Sequence, residues 1–89
     1  MKASPHIRSS ISDEGVIFLD IRSGQFFSAN AIAARIWRGL EQDLPMETIV
    51  ARIASETGAE PAVVERDATE FVSLLASRGL VESPPENER

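Results

Sequence analysis

The residues that could do covalent chemistry are few and poorly placed for it. His6 is the single histidine, and a general base needs an orienting partner that the sequence does not set beside it. The acidic pairs Asp13 and Glu14, and Glu65 with Asp67, fall in a turn signal and on a helix flank, where carboxylates are solvated. The absence of cysteine excludes disulfides, thiolate metal sites and a cysteine nucleophile. The five glycines are isolated, so there is neither a phosphate-cradling loop nor a dinucleotide fingerprint. The chain is expected to be no enzyme and to carry no cofactor or metal. What remains is non-covalent recognition, and two stretches have the spacing for it. One is "QFFSA" at 25–29, with two of the four phenylalanines side by side; the other is the line Asp67, Phe71, Leu74, Arg78.

Both must be positioned by local structure. "PHIRSSI" at 5–11 is expected as a first strand, and "SDEG" at 12–15 as a turn. "VIFLDI" at 16–21 is too short for a helix and rich in β-formers, which makes it a second strand. Its period of two separates Val16, Phe18 and Asp20 from Ile17, Leu19 and Ile21. Asp20 prefers water, so the Ile17, Leu19, Ile21 face is the expected core face. "RSGQ" at 22–25 is a hairpin turn, and "FFSA" returns as a third, antiparallel strand. Alternation keeps Phe26 and Phe27 on opposite faces and does not by itself choose between them. Phe27, in phase with Ala29, is the expected helix-facing one, with Phe26 and Ser28 on the other side.

Asn30 is a helix N-cap by type, its side-chain oxygen able to accept an orphan amide of the first turn. Ile32, Ala33, Ile36, Trp37 and Leu40 then form an amphipathic stripe. Pro45 stands near the start of a second helix with the stripe Met46, Ile49, Val50 and Ile53. That helix ends near Thr57 with Gly58 as a left-handed cap. Pro61 opens a third helix that reaches about Arg78, stops at Gly79 and carries the core stripe Val64, Ala68, Phe71, Val72 and Leu75. The fold class is α+β, with a three-stranded antiparallel sheet followed by three helices, similar in content to a winged helix-turn-helix. Residues 1–81 form one domain, and the acidic, proline-containing tail 82–89 is expected to be disordered.

Composition narrows the function classes further. The chain has 89 residues, of which 43% are hydrophobic and 26% charged, as in an ordinary small globular domain. No segment approaches the ~18 apolar residues of a membrane span, so the expected compartment is the cytoplasm, with no membrane partner. Residues 1–40 carry five basic and three acidic side chains, and residues 41–89 carry four and eleven. A winged-helix fold raises an alternative function, that of a winged-helix interaction protein or a DNA-binding regulatory protein. The third helix, however, offers Glu65, Asp67 and Glu70 against Arg66 and Arg78, whereas phosphates and base edges call for Arg, Lys, Asn or Gln. Nucleic acid is therefore not the expected partner.

The third strand is the last of its hairpin and the chain leaves it at once for a helix, so its outer side is an open edge. "QFFSA" carries neither Lys nor Pro to blunt such an edge. A peptide could add there as another strand, and so could a second copy of the chain to give an edge-strand homodimer. Asp67, Phe71, Leu74 and Arg78, spaced i, i+4, i+7, i+11, make one line along the third helix, apolar in the middle and oppositely charged at its ends. Beside the open edge that line would wall a groove; the same spacing equally suits plain core with solvated rims.

"LDIRSGQFFSANAIAARIW", "METIVARIASETG" and "VERDATEFVSLLASRGLV" together resemble the PqqD-like family of peptide-recognition domains, the RiPP recognition elements, over about residues 14–81. The match rests on a strand pair with Gly in its turn, paired aromatics, an Asn opening a helix with Ile-Trp, and an Asp-x-x-x-Phe third helix. Within the family the chain is most similar to the stand-alone leader-binding proteins of lasso-peptide biosynthesis. It lacks the Pro-Glu-Gly and Cys-Asp-Gly elements of pyrroloquinoline-quinone PqqD proteins, and Ala29 stands where the family often has Leu. The resemblance implies a domain that takes the leader of a ribosomally made precursor as an added antiparallel strand. It would then hand that substrate to a leader peptidase or another maturation enzyme. Strand contacts would come from Gln25, Phe26, Phe27, Ser28 and Ala29, and helix contacts from Asp67, Glu70, Phe71, Leu74 and Arg78. Phe71 and Leu74 would receive apolar leader residues, with Asp67 and Arg78 fixing register.

Overall fold

In the computed structural model, which describes residues 1–82, strand passes into helix at Asn30 with no intervening loop. Asn30 closes β3 (Phe26–Asn30), and its Oδ1 accepts a hydrogen bond of 2.9 Å from the Ala33 N–H, so α1 (Ala31–Glu41) begins on the next residue. Ahead of it lie β1 (Ile7–Ser12) and β2 (Gly15–Asp20). The sheet order is β1-β2-β3, antiparallel throughout. Then follow α2 (Met46–Thr57), capped by Gly58 at φ 80°, and α3 (Pro61–Ser77), opened by Pro61 and followed by Gly79 at φ 70°. The α+β architecture is the one the sequence predicts. The expected disorder of the tail concerns residues that, Glu82 apart, lie outside the described ones.

The face of β2 is not the one its sequence suggested. Val16 and Phe18 are each only 1% exposed, while Ile17, Leu19 and Ile21 are 50%, 38% and 53% exposed. Asp20 does share its phase with Phe18, but it is the last residue of the strand, next to the turn. Its carboxylate accepts from the N–H of Arg22 at 2.9 Å and of Ser23 at 3.3 Å, so it serves the turn. Both faces of "VIFLDI" are apolar, so polarity could not choose between them; packing did. Phe18 meets Trp37 edge-on at 5.1 Å between ring centroids, stacks on Phe27 at 6.2 Å and lies 6.4 Å from Phe71. Sheet, α1 and α3 are thus joined through one ring, in arrangements aromatic quadrupoles favour.

The helices fill the rest of the core. Trp37 is fully buried, and its Nε1–H donates to Ser9 Oγ at 3.3 Å. Gly39 lets α2 approach α1: a Cβ there would stand 2.7 Å from Ile49 Cγ1. Gly15 serves the sheet in the same way, since a Cβ would stand 2.1 Å from the Ala29 carbonyl oxygen. The two ends of the described chain pair with each other. Ser4 donates through its N–H to Leu80 O and through Oγ to Gly79 O, both at 3.0 Å, and the Glu82 N–H donates to Lys2 O at 3.1 Å. Leu80 and Val81 are thereby held in the core.

Because Phe18 rather than its neighbour is the anchor, Phe18→Ala should cost about 3–5 kcal/mol of stability, and Leu19→Ala about 1 kcal/mol or less. Chemical denaturation of the two variants checks the assignment of faces. Asp20 gives a second expectation. The Arg22 backbone N–H, foremost, holds its pKa below the ordinary 3.8, opposed by desolvation and helped by Ser23 and His6. A depressed folded-state pKa means stability that is full above the unfolded value and lost as pH falls through the folded one. Asp20→Asn should therefore melt lower than the parent at neutral pH, and the two melting curves should converge in acid.

Candidate functional site

Register and one hydrogen bond decide which way each backbone group of β3 points. The Asp20 N–H donates to Gln25 O at 2.9 Å, and the pairs Phe18↔Phe27 and Val16↔Ala29 follow in the same phase. In an antiparallel ladder the hydrogen-bonded pairs alternate. Phe27 and Ala29 therefore spend their N–H and C=O groups on β2. Phe26 and Ser28 aim theirs away from it, at an edge that no fourth strand of the described chain covers.

Side chains follow the opposite logic. Phe27 and Ala29 face the helices and are half-buried, while Phe26 is 72% exposed on the far face with Ser28. The expected assignment of the two phenylalanines holds. On that far face Phe26 joins Ile17, Leu19 and Ile21 in an exposed apolar strip.

Alongside the edge, between β3, α1 and α3, runs a cleft of about 410 Å³. Its strand wall is Phe27 and Ala29, and its helix wall is Asp67, Glu70, Phe71 and Leu74. Six of the residues singled out by sequence thus meet in one place. A seventh closes one end: the Arg78 guanidinium lies 5.1 Å from the centroid of the Phe27 ring, a cation–π contact. The other three do not line the cleft. Gln25 precedes the strand and is exposed, and Phe26 and Ser28 bring only backbone to the edge.

Sequence reasoning missed the floor. Ile32, Ala33 and Ile36 of α1 close the cleft from below. They belong to the stripe read as plain core, and their signal was the absence of a loop after Asn30, which forces the first turns of α1 beneath β3. Phe71 proves to be both things at once, 8% exposed within the core cluster and part of the cleft wall.

The electrostatics are simple. Asp67 and Glu70 are exposed acids on the cleft wall; Asp67 has Arg66 at 3.7 Å, with both side chains more than half exposed. Such a pair is weak. A second cleft of the same volume lies between α1, α2 and the β1–β2 turn, lined by Arg35, Arg38, Arg52 and Glu56 among others. There Arg35 and Glu56 are paired with each other, and of the edge strand β1 only its last residues, Ile11 and Ser12, reach it. Among the described residues no cluster of His, Asp or Glu could hold a metal ion, and no helix is long and apolar enough to cross a membrane. The combination that stands out is an unpaired strand edge beside an apolar cleft, the geometry in which an extended peptide binds by strand addition.

Comparison with known proteins bears on the same feature. Residues 15–81 match the family model described as coenzyme PQQ synthesis protein D (PqqD). A solved structure of TbiB1 in complex with the TbiA(beta) leader peptide is 34% identical in sequence, with a TM-score of 0.79 over 94% of this chain and 98% of that one. A lasso peptide synthetase B1 complexed with the leader peptide is 28% identical, with a TM-score of 0.82 over 92% of this chain and 96% of that one. No curated protein sequence matches the chain.

The two phases of β3 are measurable by amide hydrogen exchange. The N–H groups of Phe27 and Ala29 should be protected, and those of Phe26 and Ser28 should exchange faster by at least about tenfold.

Proposed function

The chain belongs to the PqqD family, and from that premise we propose that it is a non-catalytic recognition element of lasso-peptide biosynthesis. It takes the leader of a ribosomally made precursor as a fourth strand on β3 and delivers the precursor to a separate maturation enzyme, a leader peptidase or modifying enzyme. The single observation that carries this reading is the outward-facing backbone of Phe26 and Ser28 beside the cleft. Both structural relatives were solved with a leader peptide bound, which supports it.

The work divides between backbone and side chains. Phe26 and Ser28 offer N–H and C=O groups to a partner strand, which gives affinity with little regard to sequence. The cleft supplies selectivity. Leader residues opposite Phe27 and Ala29 share their face of the sheet and enter it, meeting Phe71 and Leu74 on one side and Ile32 below. Their intervening neighbours stay on the far face beside Phe26. Asp67, Glu70 and Arg78 hold the ends of the bound segment. No residue of the site is arranged to attack a bond, so the contribution to maturation is a raised local concentration of substrate at the enzyme that does the chemistry. The acids on α3 count against a nucleic-acid role for the same surface, since they would repel phosphates.

Two substitutions separate the backbone from the side-chain contribution. Proline is tolerated on an edge strand where its missing N–H faced outward, so Ser28→Pro should leave β2–β3 pairing intact and remove the strand-addition donor. Leu74 is half-buried rather than core, so Leu74→Asp should fold and place a charge in the cleft. Each should weaken binding of the precursor leader by at least about tenfold, or ~1.4 kcal/mol. Fluorescence anisotropy with a labelled leader, beside circular dichroism of each variant, is the measurement. Undiminished binding by both folded variants would sink the strand-addition reading.

A further inference from the structure

The cleft is charged unequally along its length, and antiparallel pairing converts that asymmetry into a direction. Arg78 stands over Phe27, near the start of β3. Leu74, Phe71, Glu70 and Asp67 lead back along α3 from that point, so the acids stand progressively farther from Arg78. The lining of the cleft extends past Ala29 to Asn30 and Ile32, at the end of β3 and the start of α1. Eleven residues of helix separate Asp67 from Arg78, about 16 Å at 1.5 Å per residue. That is the reach of about five residues of extended strand at 3.3 Å each. No described partner across the cleft neutralises either end: Asp67 has only the solvent-exposed Arg66 on its own helix, and Glu70 forms no ion pair among the described residues.

A segment added to β3 in the antiparallel sense of the existing sheet, the more stable of the two pairings, runs opposite to β3. Its N-terminal residues lie beside Asn30, Asp67 and Glu70, and its C-terminal residues beside Gln25 and Arg78. Between them, two side chains spaced i and i+2 enter the cleft, the first opposite Ala29 and the second opposite Phe27. Resting on the strand-addition reading above, we infer that this site selects a leader by charge order. It takes a Lys or Arg on the N-terminal side of an apolar i, i+2 pair and an Asp or Glu on the C-terminal side. A sequence with the same apolar pair and reversed charges meets like charge at both ends, so the order specifies direction as well as register.

The test is selection of binders from a displayed library of short random peptides on the parent protein, on Ser28→Pro, and on the double variant Asp67→Lys, Glu70→Lys. Both altered acids are exposed, so the double variant should fold. Peptides that bind the parent and are lost on Ser28→Pro are edge-dependent. These should carry Lys or Arg N-terminal to the apolar pair and Asp or Glu C-terminal to it, and the double variant should select acids at the N-terminal position instead. In any one selected peptide, replacing the N-terminal cation by Glu should weaken binding to the parent about tenfold and strengthen binding to the double variant. Edge-dependent binders with no charge order, or with the opposite one, overturn the inference and leave strand addition standing. A selection that yields no edge-dependent binders overturns both.

Discussion

The position of the Phe18 ring fixes nearly everything else about this domain. It touches Trp37 of α1, Phe27 of β3 and Phe71 of α3, so three elements agree on one face of the sheet. Since side chains alternate along a strand, that choice is inherited across the ladder. With Phe18 inward, its partner Phe27 must be inward, and Ala29 with it. The backbone of Phe26 and Ser28 is then the part left facing the open edge. Had Leu19 been the inward residue, Phe26 would have faced the helices. The cleft would then have had a different wall, and the edge groups would have come from Phe27 and Ala29.

An unpaired edge alone is not a site. The sheet has two, and β1 offers one as well: the Ile21 N–H donates to His6 O, so by register Ser9 and Ile11 aim their backbone groups outward. The difference lies in what stands beside each edge. Along β3 the first turns of α1 and the outer line of α3 provide an apolar floor and a wall with charges at its ends. Along β1 the exposed side chains are Arg8, Ser9, Ser10 and Ser12, and the Arg8 guanidinium is turned to the carbonyls of Pro5 and Ile7. The arginine-lined cleft meets that strand only at its end, Ile11 and Ser12. Backbone hydrogen bonds are the same for any partner, so only an edge with a cleft next to it can discriminate among extended peptides.

How far the sequence could be read follows from where its signals were unambiguous. The order of three strands and three helices was legible because each boundary had a chemical marker: Asn30 as N-cap, Pro61 at a helix start, Gly58 and Gly79 at left-handed ends. That Phe26 and Phe27 face opposite ways was legible from alternation. Which of them faces the helices was not, because each face carries one phenylalanine, and only the shared phase with Ala29 favoured Phe27. The face of β2 was not legible either, because "VIFLDI" is apolar on both sides and its one charged residue sits at the strand end, where its carboxylate serves the turn. Nor was the α1 floor, because Ile32, Ala33 and Ile36 carry the pattern of ordinary core, and only the approach of β3 makes them line a cleft. Arg78 was legible as a residue of the helix line; its seat on the Phe27 ring depends on how α3 crosses the sheet, which periodicity does not encode.

Phe71 shows why a chain of 89 residues puts its site at a rim. A core this small has no volume to spare for an enclosed pocket. The cleft is instead made from side chains that already serve the fold, each presenting its outer surface. Phe71 packs toward Phe18 and turns its other side to the cleft; Phe27 lies between Phe18 and Arg78. In the proposed binding mode the dedicated binding atoms are few: the backbone of two strand residues, Leu74, and three charged groups. Conserving material in this way ties recognition to stability at Phe27 and Phe71, and leaves it separable at Ser28, Leu74, Asp67, Glu70 and Arg78. A change of leader preference is therefore cheapest at the exposed ends of the cleft, where charge can change without disturbing the aromatic contacts that hold sheet to helices.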